Sequence, residues 1–182
     1  MLHIAEQRKN SNVIEYLLYM WQMEDLIRGL RFDPEALEQG VLSAVEDERL
    51  RLQSKKWFAR LGAEMKEQGL EVSGHRAELL EIIAELQLLQ NTLLTVMNDK
   101  AFQDIYTKCA PLLMEFRKKT EQLPKSDVET ALTAVYGYLM LKLAKKEISP
   151  DTASAMEIFQ SYLAYLAKAY RSMKHQGLPQ DN

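Results

Sequence analysis

The sequence contains one cysteine and three histidines in 182 residues. Cys109 cannot form an internal disulfide, and a chain without disulfides suits a reducing compartment. There is no uninterrupted apolar stretch of the ~18 residues that a membrane-spanning helix needs, and the amino terminus has no apolar run of signal-peptide length. We therefore expect a cytoplasmic protein that neither spans a membrane nor is exported.

Motifs for bound metals, cofactors and nucleophilic catalysis are also missing. No histidine or cysteine pair has zinc-ligand spacing, and the Glu-x-x-His motif of di-iron bundles does not occur. The sequence has no Walker loop, no Gly-x-Gly-x-x-Gly and no Gly-x-Ser-x-Gly. Cys109, in "TKCAPLL", has the surroundings of a small buried thiol. We expect no metal and no cofactor, and nothing in the sequence argues for an enzyme.

Alternating β-branched residues, the signal of strands, are scarce, whereas turn residues fall where helices would begin and end. The pattern predicts an all-α protein, and the length suits one domain over residues 1–182. We predict a single-domain bundle of about six helices. Their expected ranges are Asn10–Leu30, 34–68 with a break near Gly40, 75–97, 100–121, a fifth helix after Ser126, and a sixth beginning at Pro150.

Several residues mark the predicted helix ends. Asp33 precedes Pro34, and Ser149 precedes Pro150, which is the order expected of an N-cap followed by a first-turn proline. Ser126 and Glu129 match the Ser-x-x-Glu capping box. We also predict that Ser73 caps the third helix and that Pro111 kinks or splits the fourth.

The first and fifth helices are apolar nearly all round, so we expect them to be the central pair of the bundle. Gly137 in the fifth helix is predicted to allow a close backbone approach, and the fifth and sixth helices to form an antiparallel hairpin. The sixth helix is amphipathic. Its predicted inward residues are Met156, Phe159, Tyr162, Leu163, Leu166 and Tyr170.

The first helix contains charged residues within an apolar stretch, "NVIEYLLYMWQMEDLIRGLRF". Helical projection places Glu24 and Arg28 among apolar residues near Trp21, away from the polar side. Either Glu24 or Asp25 has the spacing to pair with Arg28. One interpretation is an ordinary ion pair near the end of a helix. The other is a polar pocket in an apolar wall, which makes Trp21, Glu24, Asp25 and Arg28 candidate binding residues for a small molecule.

The run "IEYLLYMWQMEDLIRGLRFD", with its lead-in "IAEQRKNSNVIEY", resembles the amino-terminal hallmark of an uncharacterised helical protein family of Bacteroidetes. That family is described only as a domain of unknown function. The resemblance implies an intracellular, all-helical bacterial protein over essentially the whole chain. It implies no activity, substrate or cofactor.

A second alternative is nucleic-acid binding. In "DERLRLQSKKWFARLG", Arg49, Lys56 and Arg60 share a helix face that Trp57 borders, so phosphate contacts beside a stacking aromatic ring are conceivable. The competing interpretation is that Trp57 belongs to the core and that the basic residues lie on the solvent-exposed side of the same helix. The net charge of −3 also disfavours a protein that coats nucleic acid.

We therefore predict a non-catalytic protein-interaction or self-association module. The candidate partners are another protein or a second copy of this chain, with a small molecule as the alternative. Leu88, predicted to face outward, and the apolar surface of the first helix favour self-association.

Overall fold

The computed structural model describes residues 1–120 and 124–176. All regular secondary structure in these two ranges is helical, which confirms the predicted all-α class. These residues form eight α-helices, two more than predicted. The helices are α1 Leu2–Ser11, α2 Val13–Gly29, α3 Pro34–Gly40, α4 Glu48–Glu67, α5 Ala77–Asn91, α6 Lys100–Lys119, α7 Asp127–Leu143 and α8 Pro150–Gln176. A short 3₁₀-helix, Leu42–Ala44, follows α3, and a π-helical segment, Thr92–Val96, follows α5.

The helices group into two compact units, Met1–Glu81 and Ile82–Asn182. The boundary between the two units falls within α5. The predicted first helix, now α2, belongs to the first unit, and the predicted fifth helix, now α7, belongs to the second. The expectation of a single domain stays a prediction, and each unit is described by itself below.

One helix was missed because the amino-terminal residues have little apolar periodicity. The predicted helix Asn10–Leu30 begins three residues later, at Val13, as α2, and a separate helix, α1, precedes it and ends at Ser11. The extended backbone of Asn12 ends α1, and its side chain accepts hydrogen bonds from the N–H groups of Ile14 and Glu15. Asn12 is therefore the N-cap of α2.

In the first unit, α2 packs against α1 and α4 and contributes much of the core. Its buried residues are Val13, Ile14, Tyr16, Leu17, Tyr19, Met20, Trp21, Glu24 and Ile27. From α4, the buried residues include Trp57, Phe58, Leu61 and Met65, whereas Leu50 is exposed. The expectation that α2 and the predicted fifth helix form the central pair of one bundle stays a prediction.

In the second unit, α6, α7 and α8 pack against one another. The predicted inward face of α8 is confirmed from Met156 to Leu166, and Tyr170 is half-buried. The buried residues of α7 all lie between Val128 and Val135, in its first half. The first half of α7 therefore contributes to the core of this unit, whereas its second half contributes no buried residue.

Some local predictions are wrong and others are confirmed. Pro111 does not split the fourth helix, since α6 continues through it, and the alternative that it kinks the helix stays a prediction. Gly137 is not at a close backbone approach, because a Cβ atom built there has no heavy atom within 4 Å. The N-cap hydrogen bonds of Asp33, Ser126 and Ser149 are present as predicted.

Candidate functional site

Two charged residues of α2, Glu24 and Arg28, lie inside the first unit, as predicted. The exposed fraction is 0% for Glu24 and 2% for Trp21, and the side chain of Arg28 is 12% exposed. The side chain of Asp25 is half exposed. Since a buried charge is tolerated only when it is paired and hydrogen-bonded, the partners of Glu24 and Arg28 determine what this region does.

Arg28 pairs with Asp25, whose Oδ1 lies 2.8 Å from its Nη1. The alternative pairing with Glu24 is wrong, because Glu24 is engaged elsewhere. The other donors of Arg28 reach backbone groups of the segment that follows α4. Its Nε donates to the carbonyl oxygen of Leu70 at 3.0 Å, and its Nη2 donates to the carbonyl oxygen of Gly74.

Glu24 binds residues that are distant in sequence. Its Oε2 is 2.7 Å from His75 Nδ1, and its Oε1 accepts a hydrogen bond of 3.1 Å from the backbone N–H of Arg76. Oε1 is also 3.4 Å from Arg76 Nε. The imidazole ring of His75 in turn stacks on Trp21, with ring centroids 4.0 Å apart and planes 6° from parallel.

These contacts form one structure, which we call the loop clamp: Trp21, Glu24 and Arg28 of α2 hold residues 70–76. The clamp provides partners for two backbone carbonyl groups of this segment and for the buried N–H of Arg76. It also helps to cap the N-terminus of α5. Glu24 accepts a hydrogen bond from the N–H of Arg76, and the side chain of Gln68 accepts one of 2.8 Å from the N–H of Ala77. The predicted cap Ser73 is therefore wrong: α5 begins four residues later and is capped by side chains from elsewhere in the chain.

Arg76 was not considered in the sequence analysis, yet its side chain is only 5% exposed. Its guanidinium lies between acids from two helices, with Nη1 2.6 Å from Glu64 Oε2 and Nε 3.4 Å from Glu24 Oε1. His75 was considered only as a metal ligand. In the described part of the chain there is no group of three or more histidine, cysteine or acidic residues arranged to hold a metal ion.

A second polar cluster, which the sequence analysis also missed, lies in the second unit around Asp127. Its Oδ2 accepts hydrogen bonds from Tyr106 at 2.6 Å and Gln90 at 3.2 Å, and its Oδ1 accepts one from Arg117 at 2.8 Å. The hydroxyl of Tyr162 donates to Gln90 Oε1. Four helices, α5 to α8, thus contribute to one hydrogen-bonded network, whose groups satisfy one another.

The surroundings of this network keep two tyrosine hydroxyls and one thiol protonated, because they raise the pKa of each group. Burial raises the pKa of Tyr162 and, together with the nearby Asp127 carboxylate, that of Tyr106. Burial, with a smaller contribution from Asp127, raises the pKa of the Cys109 thiol to about 12. Since the thiolate is the nucleophilic form, Cys109 is an inert thiol at neutral pH. This agrees with the sequence-based interpretation.

The second unit also has an open cavity of about 740 Å³, which we call the α6–α7–α8 groove. Gly137 lines it, and this explains why no atom approaches the position of its missing side chain. The lining residues are Leu112, Glu115, Phe116, Lys119, Ala134, Gly137, Tyr138, Leu141, Asp151, Thr152, Ala155, Met156 and Phe159. From the sequence, Gly137 was predicted to be a position of close helix packing and not part of an open groove.

The candidate nucleic-acid face has the arrangement of a solvated helix surface. Arg49, Lys56 and Arg60 are exposed on α4, and Arg60 Nε lies 3.6 Å from the carboxylate of Glu64. Trp57 is only 5% exposed, so its ring is not available for stacking on a base. The interpretation of Trp57 as a core residue is confirmed.

Within the described residues, the segment Ala77–Val96 is long and apolar enough to cross a membrane by length and composition alone. Buried helices of water-soluble proteins meet the same criterion, so this segment is weak evidence for a membrane span. It does not establish where the protein resides, and the cytoplasmic location stays a prediction.

The described residues define an all-α protein whose internal polar groups form closed networks and whose second unit carries an open apolar groove. The chain belongs to the family described as "Domain of unknown function (DUF4924)", which matches residues 2–177. This match confirms the resemblance to an uncharacterised helical family, whereas an origin in Bacteroidetes stays a prediction. Neither a curated protein nor a solved structure matches the chain.

Proposed function

We propose that this protein is a non-catalytic interaction module that binds an amphipathic helix of a partner protein in the α6–α7–α8 groove. The observation that carries the proposal is the open space at Gly137, in a groove of about 740 Å³. Filling such a groove with the apolar face of a helix is an established way for helical domains to recognise peptides.

The dimensions of the groove suit a helix. Its α7 wall comprises Ala134, Gly137, Tyr138 and Leu141, which follow the i, i+3, i+4, i+7 spacing of one helix face. Its α6 wall, residues 112 to 119, repeats this spacing. A span of seven residues corresponds to about 10 Å along a helix axis, or two turns. The groove therefore has two helical walls of about the length that a short helix needs for two layers of contacts.

The chemistry of the lining also resembles that of a protein interface. Aromatic and methionine side chains, Phe116, Met156 and Phe159, lie among the small residues. The charged residues Glu115 and Lys119 lie toward the end of α6, where they form an exposed ion pair of 2.6 Å. An apolar centre with a charged rim is the usual composition of protein–protein interfaces.

We propose no catalytic role, because the buried polar side chains are held by one another. The buried polar groups of both units are engaged by one another: Glu24 by His75 and Arg76, and Asp127 by Tyr106, Gln90 and Arg117. The buried thiol Cys109 is protonated at neutral pH. The protein is also proposed to act in the cytoplasm, since its lone cysteine requires no oxidising compartment.

The test uses a displayed library of peptides of about four turns with apolar residues at helical spacing, selected on the purified full chain. Recovered peptides are labelled, and their affinities for the parent, Gly137→Leu and Gly29→Leu are measured by fluorescence anisotropy. Gly29 is a matched control, because it is also helical, exposed and has no atom within 4 Å of its missing Cβ. Burying one large apolar side chain is worth about 1.5 to 3 kcal/mol, so blocking that contact should weaken binding about tenfold or more.

We expect the peptides to bind the parent and Gly29→Leu equally, to bind Gly137→Leu at least about tenfold more weakly, and to lose binding when proline interrupts their helix. Equal binding to all three proteins, or recovery of no helical peptide, would contradict the proposal. A homodimer of the parent that becomes monomeric in Gly137→Leu by native mass spectrometry would identify a second copy as the occupant. That result would replace the partner helix with self-association, which exposed Leu88 also favours.

A further inference from the structure

We infer that the first unit has its own binding site, for a small monocarboxylate with an apolar body, in a pocket formed by the end of α2, by α3 and by α4. This pocket has a volume of about 290 Å³ and is separate from the α6–α7–α8 groove. None of the residues predicted to bind a small molecule, Trp21, Glu24, Asp25 and Arg28, lines it. The inference does not depend on the proposed function.

The walls of the pocket are apolar. Ile27 and Leu30 come from the end of α2, Leu37 comes from α3, and Phe58 comes from α4. Leu37, Phe58 and Ile27 are themselves buried, so the wall belongs to the core and keeps its shape without a ligand. Small ligands are usually held by such a pre-formed apolar pocket with a few polar groups at fixed positions.

Part of the space exists because three of the α4 residues that line the pocket are small, namely Ala59, Gly62 and Ala63. A Cβ atom built on Gly62 meets Phe32 Cδ1 at 3.6 Å, which is ordinary van der Waals contact. The ring of Phe32 therefore lies directly over α4 and forms one side of the pocket.

Phe32 is held there by an unusual backbone. Arg31 and Phe32 have φ angles of 53° and 58°, in the left-handed region that bulky residues rarely adopt. The N–H of Phe32 donates to the carbonyl oxygen of Ile27 at 3.0 Å, which closes the end of α2. Two consecutive non-glycine residues in this region cost on the order of 1 kcal/mol each. The surrounding fold keeps the aromatic wall in place despite this strain.

The charges that line the pocket favour an anion. Two lysines line it, and Lys66 Nζ lies 5.2 Å from the centre of the Phe32 ring, over its face. The second, Lys55, has its Nζ 2.8 Å from Glu38 Oε2. The only acid in the lining, Asp33, uses its Oδ1 to accept the N–H of Glu35 at 2.8 Å. A carboxylate near Lys66 would therefore meet a cation that is already next to the apolar space.

The volume limits the size of the ligand. At about 30 Å³ for each water-sized group, 290 Å³ holds roughly ten such groups. A saturated chain of about ten carbons with one carboxylate, decanoate, is therefore a suitable probe. Decan-1-ol has the same apolar body without the charge, and decylamine carries the opposite charge.

Binding of the three probes to the full chain is measured by isothermal titration calorimetry, below the concentration at which decanoate forms micelles. We expect decanoate to bind more tightly than decan-1-ol and decylamine not to bind. Lys66→Gln should weaken decanoate binding about fivefold or more, a loss of about 1 kcal/mol, and leave decan-1-ol unchanged. Lys56→Gln is the matched control, since Lys56 is an exposed lysine on the same helix that does not line the pocket, and it should leave both affinities unchanged.

The apolar part of the site is tested with Ala63→Leu, which places a large side chain in the pocket from an exposed position. It should abolish binding of both decanoate and decan-1-ol without lowering the melting temperature. If Ala63→Leu does unfold the protein, Ala59→Leu provides the same test from the preceding turn. Absence of decanoate binding to the parent, or binding that survives the leucine variants, would overturn the inference. Equal affinity for decanoate and decylamine would overturn its anionic part.

Discussion

The loop clamp makes a testable prediction about which residues depend on Glu24. Glu24→Gln keeps the volume of the side chain but removes its charge, so that Arg76 keeps only counter-charges that are partly exposed, Glu64 at 2.6 Å and Glu78 at 3.7 Å. If Arg76→Met is made as well, no charge is left uncompensated. The two changes should therefore be strongly non-additive. Arg28→Met provides the comparison, because Arg28 shares no partner with Glu24.

The magnitude follows from the contacts. Removing one member of a buried ion pair typically costs about 3 to 5 kcal/mol. Glu64, at 2.6 Å from Arg76, compensates part of that charge, and the amide of glutamine still accepts one hydrogen bond. We therefore expect Glu24→Gln to cost about 2 to 3 kcal/mol, and the coupling free energy between Glu24 and Arg76 to be about 1 to 2 kcal/mol. Glu24 and Arg28 hold the same loop but share no partner group, so we expect the coupling between them to be smaller than the coupling between Glu24 and Arg76.

The assay is urea denaturation of the parent, the three single variants and the two double variants, followed by circular dichroism at constant pH and salt. Free energies of unfolding from linear extrapolation give both coupling energies. A coupling with Arg28 that exceeds the coupling with Arg76 would refute the assignment of partners. If no single variant changes the stability by more than about 0.5 kcal/mol, Glu24 is not buried and the clamp does not exist in solution.

Four further predictions follow from single positions. Gly137→Leu should raise the melting temperature or leave it unchanged, because leucine is about 0.8 kcal/mol better than glycine in a helix and nothing obstructs its side chain. Arg31→Gly should raise the free energy of unfolding in urea by about 1 kcal/mol, since glycine adopts φ of 53° without strain. Cys109 should resist iodoacetamide in the folded protein at pH 8 and react once urea is added, as measured by mass spectrometry. Asp127→Ala should lower the free energy of unfolding by about 2 to 4 kcal/mol, because Arg117 and Tyr106 lose a common acceptor, whereas exposed Asp151→Ala, assayed in the same urea series, should change it by less than about 0.5 kcal/mol.

The features that sequence predicted well are local. Asp33, Ser126 and Ser149 cap helices through residues two or three positions away, so each signal lies within one short stretch. The inward face of α8 was likewise predicted, because helical periodicity alone identifies an apolar stripe.

The features that sequence missed depend on distant residues. Glu24 meets His75 and Arg76 about fifty positions away, and helical spacing directed attention to Arg28 instead. Gly137 shows the same limit, because a small residue in a helix allows either a close neighbour or an open groove. Only the positions of α6 and α8 decide between the two.

The segment between α4 and α5 has the composition of a permissive loop, with two glycines and exposed polar residues. Exposed loops of that kind are usually where inserted tags and fused domains are tolerated. Here the length of the connection is fixed, because Leu70, Gly74 and Arg76 each bind a side chain of α2 through a backbone atom. One added residue would shift these backbone atoms along the chain, out of register with Glu24 and Arg28. For fusion proteins and biosensors, the connection between α7 and α8 is therefore the better insertion site.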